Sequence, residues 1–401
     1  MRPSRRLTIV LFALASTSCG EPRREQNPGG ARAASAEPVT VAYDSLALAE
    51  DQEVFIGSPF SLVVVPASDN GRGLAEIWIS DFYSNTLLQF DGSGRFNRRM
   101  GGAGEGPHEF STIGQLFLSA DEVGAVELRR REVKWFGRSD GKVRRVTQFR
   151  KGAIGISPPV SLGDALVFPL LDPIEHTSVG IYRAANDTWV RTGPLPEPYR
   201  RSYEKGRGAF ASFFRYLYID RFDQSSILIA FSGVDSIYRF DPRDTVATVL
   251  GAIPRRARRG LEGECRFAGD APDPALAMKE CGSSFRELFS LVSGVWMVDV
   301  DRVAAVHTDQ HTEGEPPRVV VTGTSYLTIL DLKSGAACVD MRIPGGKDAR
   351  AIYDMQRNTL FVLDRRVDDT KSTLWLLSIP IPEMLTCPAG HRASGWRTRR
   401  P

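Results

Sequence analysis

The chain has 401 residues, enough for two or three ordinary domains or for one large domain built of repeats. A 42% hydrophobic and 25% charged composition excludes disorder throughout, a polytopic membrane protein and a collagen-like fibre. Lysine and arginine total 51 against 48 acids, a net charge of +3, with acids interspersed among the bases. A nucleic-acid binder concentrates a basic surplus on one face, so nucleic acid is not an expected partner.

The first 18 residues read as an export signal. Met1 to Arg6 carries three arginines, Leu7 to Ala15 is a nine-residue apolar run, and Ser16-Thr17-Ser18 supplies small residues ahead of a cysteine. The run falls well short of the ~20 apolar residues that span a bilayer. Cys19, directly after the small residues, resembles the lipobox of bacterial lipoproteins, although Ser16 stands where that motif usually has leucine. The resemblance implies lipidation at Cys19 and, with Gly20 rather than aspartate next, an outer-membrane address. The alternative is an ordinary periplasmic or secreted protein whose Cys19 leaves with the signal. Residues 19 to 38, rich in Pro, Gly, Ala, Arg and Glu, read as a disordered tether. Membrane contact is expected only through the lipid, and the protein is expected to be monomeric.

Four further cysteines, Cys265, Cys281, Cys338 and Cys387, form an even set suited to an oxidising compartment. Three pairings are open. Pairing nearest neighbours joins Cys265 to Cys281, a loop worth roughly 3 kcal/mol on the chain-entropy account, and Cys338 to Cys387; free buried thiols are the alternative. No CxxC spacing supports a zinc ribbon or a thioredoxin-type site.

From Val39 onward short β-branched and aromatic runs alternate with Gly, Asp, Asn and Pro turns, which predicts an all-β chain. Expected strands include Ser61 to Val65, Glu76 to Ser80, Leu87 to Phe90, Ala165 to Leu171, Ser226 to Phe231, Arg318 to Thr322, Tyr326 to Asp331 and Thr359 to Asp364. Only Pro274 to Lys279 and Phe285 to Leu291 read as helical. A hairpin recurs: an apolar strand ending in an aromatic residue or leucine, an Asp/Gly turn, then another strand. Its markers are Phe90, Phe136, Tyr182, Phe240, Leu330 and Leu377, spaced by 46, 46, 58, 90 and 47 residues. Six hairpins predict six units, and the interval of 90 predicts an inserted, cysteine-bounded segment at about 254–295. Units of this size are the four-stranded antiparallel blades of a β-propeller. Because no good strand follows Leu377, Val39 to Ala49 is expected to supply the outer strand of the sixth blade. Residues 39–401 then make a single domain.

At Ile77 to Phe90 and Gly101-Gly102-Ala103-Gly104-Glu105-Gly106-Pro107-His108-Glu109-Phe110 the sequence resembles the NHL-like six-bladed propellers of exported bacterial proteins. His108 replaces the glycine usual in that family, and the strong match covers residues 75 to 115 only. The glycines permit positive φ and close approach. They read as an inter-blade crossover, with a backbone nest for an anion as the sharper alternative. The stretch is neither a Walker loop nor a Rossmann fingerprint.

Candidate ligand residues come from the turns between the second and third strands of each blade, which share one face with the crossovers: Asp81, Tyr83 and Asn85; Arg129, Arg130 and Arg131; Asp172, Glu175 and His176; Asp235; and Asp364, Arg365 and Arg366, with Glu105 on the crossover. The arginine triplet suits a carboxylate or phosphate, or is neutralised by Glu127 and Glu132 beside it. His307, Asp309 and His311 would share one face of a strand and could hold a transition metal, but the residues that follow read as an exposed loop. There is no GxSxG elbow and no catalytic-type cysteine context.

The expected function is a non-catalytic binding or scaffolding module whose partner, a protein or a small molecule, sits on the loop face, with no cofactor. The rival is a divalent-metal hydrolase or lyase similar to the gluconolactonase group, with its site in the central channel; a quinoprotein-type surface enzyme is a more distant one.

Overall fold

A computed structural model describes residues 39–381 apart from 41, 51–53, 68–72, 149–152, 155–156, 173–174, 184, 187, 197–198, 201–216, 233, 235, 244–245, 254–288, 314–319, 334–336, 345–349 and 368–371. The signal, the tether and the insertion up to residue 288 therefore lie outside the described residues, as do Cys265, Cys281, Cys387 and Asp235.

Six antiparallel sheets follow one another along the chain. After β1 (Val39–Thr40) and β2 (Asp44–Ala47), the first blade is β3 (Pro59–Pro66), β4 (Leu74–Asp81), β5 (Thr86–Asp91) and β6 (Phe96–Gly101). The second is β7 (Ile113–Leu118), β8 (Glu122–Glu127), β9 (Glu132–Gly137) and β10 (Val143–Gln148). The third holds β11 (Ala153–Ile154) and β12 (Val160–Leu162), both paired with β13 (Ala165–Asp172), then β14 (Thr177–Arg183) and β15 (Thr188–Thr192). The fourth is β16 (Leu217–Arg221), β17 (Ile227–Phe231), β18 (Ser236–Phe240) and β19 (Ala247–Ala252). The fifth is β20 (Phe289–Asp299), β21 (Arg302–Glu313), β22 (Val320–Asp331) and β23 (Ala337–Ile343). The sixth is β24 (Arg350–Asp354), β25 (Thr359–Val367) and β26 (Ser372–Pro380), completed by β2.

Closure follows the sequence expectation. Asp44 to Ala47 pair with Ser378 to Trp375 as the outer strand of the sixth blade. Val39 and Thr40 do not join them; they lie parallel to Met341 and Arg342 on the edge of the fifth blade. Between neighbouring blades lies one apolar cluster each, six in all, the sixth uniting Phe361, Leu363 and Leu376 with Ile77, Ile79 and Phe90. Every hairpin marker stands on the third strand of its blade, and all but Tyr182 are buried in these clusters. That explains the periodic signal: third strands are sandwiched by neighbouring sheets and so read as nearly continuous apolar runs.

Two elements differ from expectation. Phe289 to Leu291 open strand β20 instead of ending a helix, because their amides and carbonyls pair with Gln310 to Thr308. The two strands foreseen around Arg318 to Thr322 and Tyr326 to Asp331 are one twelve-residue strand, β22. In consequence the second and third strands of the fifth blade, twelve residues each, are longer than the five-residue strands of the fourth blade and the nine-residue strands of the sixth.

Candidate functional site

In the first two blades the turn between second and third strands is bonded to a crossover, the Gly102 amide donating to the Asn85 carbonyl and the Leu128 amide to that of Thr112, but most polar residues of these turns serve the turns themselves. Asp81 ends β4 fully buried and accepts hydrogen bonds from the amides of Ser58 (2.6 Å), Tyr83 (3.3 Å) and Ser84 (3.2 Å) and from the Ser84 hydroxyl (2.6 Å). Glu127 ends β8 and accepts from the amides of Ser111, Thr112 and Arg129. Asp172 ends β13 and accepts from the Glu175 amide and from Arg191. Four residues after each acid the backbone turns left-handed, at Asn85 (φ 54°), Arg131 (φ 59°) and His176 (φ 55°). Three candidate pairs thus form one repeated turn device, in which a carboxylate satisfies the amides that a tight reversal strands. Asn85 adds a link to the next blade, its Oδ1 accepting the Ile113 amide at 3.0 Å.

The charges distribute in a comparable way. Glu127 and Glu132 do not neutralise the arginine triplet: Glu127 is held by backbone amides, and Glu132 lies 3.6 Å from the buried ammonium of Lys134. Arg130 reaches Glu105 at 3.8 Å, an exposed pair of little energetic weight. Asp364, Arg365 and Arg366 stand within β25, not in a loop. Arg366 pairs with Asp364 at 2.9 Å, and Arg365 with Glu50 at 3.3 Å.

The glycine-rich crossover is a folded unit, not an open nest. Gly101 and Gly102 take φ of 81° and 138°, and a side chain at Gly104 would collide with Glu109. The Glu109 carboxylate itself occupies the Gly106 amide at 2.8 Å. From below, Lys134 donates to the carbonyls of Gly106 and Glu109 with its ammonium 5.1 Å from the Phe110 ring centre.

His307, Asp309 and His311 lie on β21, alternating along one face as expected, but in a paired strand instead of a solvated loop. His307 is buried and its ring stacks on Tyr326, centroids 5.5 Å apart. The side chains of Asp309 and His311 lie outside the described residues. Among the described residues no set of three His, Cys, Asp or Glu side chains converges as metal ligands. Cys338 stands on β23 opposite Ile329, and no disulfide is present among the described residues.

Two features go beyond the sequence reading, which named Tyr83 as a candidate but not its aromatic neighbours. The first is an aromatic ridge on the loop face. Phe55, Phe82 and Tyr83 are 58%, 43% and 76% exposed. Phe82 and Tyr83 are fixed by the Phe82 amide donating to the Ser58 carbonyl at 2.9 Å, by stacking of Phe82 on Phe60 (5.8 Å, 26°), and by the Tyr83 ring lying over Gly57. The Arg365 guanidinium flanks Phe55 at 5.6 Å.

The second is a cavity of about 180 Å³ at the centre of the ring, lined by the inner strands of blades one, four, five and six and by residues 157–160 leading into the third. Its walls include Phe60, Trp296, Ile352 and Tyr353, and its ionisable groups are Asp220, Arg350 and the tyrosine phenols. Desolvation raises the Asp220 carboxyl to about 6, opposed by the Met297 amide that donates to it at 3.0 Å. Burial likewise pushes Tyr353 up to about 12. Ser61 and Ser157 are committed to tying blades together, accepting the amides of Leu116 (3.0 Å) and Ile219 (2.9 Å). A single carboxylate in the lining does not suit a hard divalent cation, which needs several oxygen ligands.

No protein-family profile matches the chain, and no curated protein matches it. Among solved structures it is similar to a member of the DUF4221 family from Bacteroides vulgatus, at 10% identity and TM-score 0.56, over 85% of this chain and 98% of that one. It also resembles U3-55K (10% identity, TM-score 0.50, 84% and 98%) and a Bacteroides fragilis protein described as exported (10%, TM-score 0.49, 85% and 96%). The likeness is one of fold: this chain is a six-bladed β-propeller.

Proposed function

We propose that the chain is an exported, lipid-tethered and non-catalytic recognition module that docks a protein partner on its loop face. The reading takes residues 1–18 as the export signal, Cys19 as the lipidated residue and 19–38 as the tether. The single observation that carries the docking site is the exposure of three large rings, Phe82 and Tyr83 side by side in one turn and Phe55 flanked by the Arg365 guanidinium. Large aromatics and arginine are the residues on which protein interfaces concentrate their binding energy, and three exposed rings on a monomer surface are otherwise unfavourable. They also pay little ordering entropy on binding, because the backbone beneath them is pinned on both sides.

The test is site-specific photo-crosslinking in intact cells of the source organism. A photoreactive residue at position 83 is expected to give one discrete adduct that Phe55→Ala removes. The same residue at Val146, exposed on the outer strand of blade two, is expected to give none. Equal labelling at both positions, or none at 83, overturns the docking site. In the same cells Cys19→Ser is expected to release the protein from the membrane fraction, and retention there would overturn the lipid anchor.

A further inference from the structure

The geometry points to a second, distinct site: the central cavity receives a compact organic monocarboxylate with an apolar ring, its carboxylate paired with Arg350. Arg350 begins β24 and lines the cavity. Its Nε is buried without a hydrogen-bond partner among the described residues, and its guanidinium meets only the face of Phe60, at 5.7 Å. No described carboxylate lies within ion-pair distance of it. Asp220, the one acid in the lining, is held by the Met297 amide instead. Arg350 is half-buried with its Nε withdrawn from solvent, which leaves the guanidinium facing the cavity free to take a planar anion, and its fork matches a carboxylate in bidentate fashion.

The rest of the lining narrows the class. Phe60, Trp296, Ile352 and Tyr353 offer aromatic and aliphatic walls, so a bare inorganic anion would leave them wet. Ser61 and Ser157 already accept inter-blade amides and the Ser293 hydroxyl donates to the Val306 carbonyl, so the site is poor in groups for a polyol or a multiply charged phosphate. Asp220, charged above pH 6, opposes a dianion but not the hydrogen of a ligand hydroxyl or amine. A volume of about 180 Å³ is below the roughly 300 to 1,000 Å³ of drug-sized sites and limits the body to a single small ring.

This site is independent of the aromatic ridge, and the test keeps the two apart. Benzoate, benzyl alcohol, acetate and inorganic phosphate are titrated into the full-length mature protein by calorimetry. Benzoate is expected to bind one to one, at least tenfold more tightly than acetate or phosphate, with benzyl alcohol giving no saturable signal. Arg350→Gln is expected to weaken benzoate at least tenfold, Arg350→Lys to weaken it less, and Phe55→Ala with Tyr83→Ala to leave it unchanged. Saturation-transfer NMR on the wild-type protein, with Trp296→Phe as the difference sample, reads the same site if Arg350→Gln does not fold. Absence of benzoate binding, phosphate binding more tightly than benzoate, or affinity indifferent to Arg350 would overturn the inference.

Discussion

The guanidinium of Arg365 lies 3.3 Å from the carboxylate of Glu50, across a sequence separation of more than 300 residues. The Glu50 side chain is only 6% exposed, and it also accepts the amides of Ile56 and Leu374, at 3.0 Å each. Arg365 in turn donates to the Ile56 carbonyl. A residue that sequence alone offers as a ligand contact is therefore half of the clasp joining the last blade to the first.

Removing Glu50 strands two amides and leaves Arg365 without its carboxylate, whereas removing Arg365 leaves the Glu50 charge buried on its two amides. Glu50→Ala is expected to destabilise the fold by about 3 kcal/mol, in the range measured when one partner of a buried pair is removed. Arg365→Met is expected to cost somewhat less, since Arg365 is partly exposed. Urea denaturation of the two single variants and the double variant measures the coupling; additive losses would show that the pair does not act as a unit.

Lys134 is a second charge with a structural assignment. Almost wholly buried, it serves Glu132 and the two crossover carbonyls of Gly106 and Glu109. Lys134→Met is expected to cost about 3 kcal/mol by taking the cation from the buried Glu132 carboxylate, which keeps only a neutral donor in the Gln148 amide. Adding Glu132→Leu is expected to restore part of it, as replacing a whole buried pair by apolar groups often does. Limited proteolysis reports the crossover separately: cleavage within 101–110 is expected to rise in both variants, because both lose the bonds to its carbonyls.

Asp220 gives a pH signature. Its folded value of about 6 lies above the 3.8 of an ordinary aspartate. The folded state therefore holds this proton more tightly, and the stability it contributes is full below about pH 4 and lost as pH rises through 6. Asp220→Asn, which keeps an acceptor for the Met297 amide, is expected to match wild type near pH 4 and to exceed it increasingly up to about pH 6, with a constant gain above. Arg221 and Tyr353, the charged and titratable neighbours, set the size of the gain but not its sign. Urea midpoints at pH 4, 5, 6 and 7.5 measure it; parallel curves would contradict it.

The blades were legible because third strands such as Leu87 to Phe90 and Leu374 to Leu377 are enclosed by sheets on both sides, and burial writes itself as hydrophobic runs. The closing strand was legible for the converse reason, as a gap after Leu377. The roles of charged residues were not. Asp81, Glu127 and Asp172 look like ligands in a sequence, since a carboxylate that caps a turn and one that meets a partner have the same composition and neighbours. Lys134 gave no signal, because nothing local shows that two crossover carbonyls from residues 106 and 109 converge on it. Arg350 and Asp220 were missed because they belong to inner strands more than 100 residues apart, brought together only by the ring.

The pairing of β2 with β26 also sets the order in which the molecule can be finished. β2, one of the first strands made by the ribosome, finds its partner last, after every other blade has been synthesised, and such long-range pairing is slow to form. Until then the sixth blade lacks its outer strand and the β24 to β26 edge is open to foreign chains. The arrangement postpones completion of the ring until the whole chain has been delivered, so a chain threaded through an export channel would reach the far side before it could lock shut.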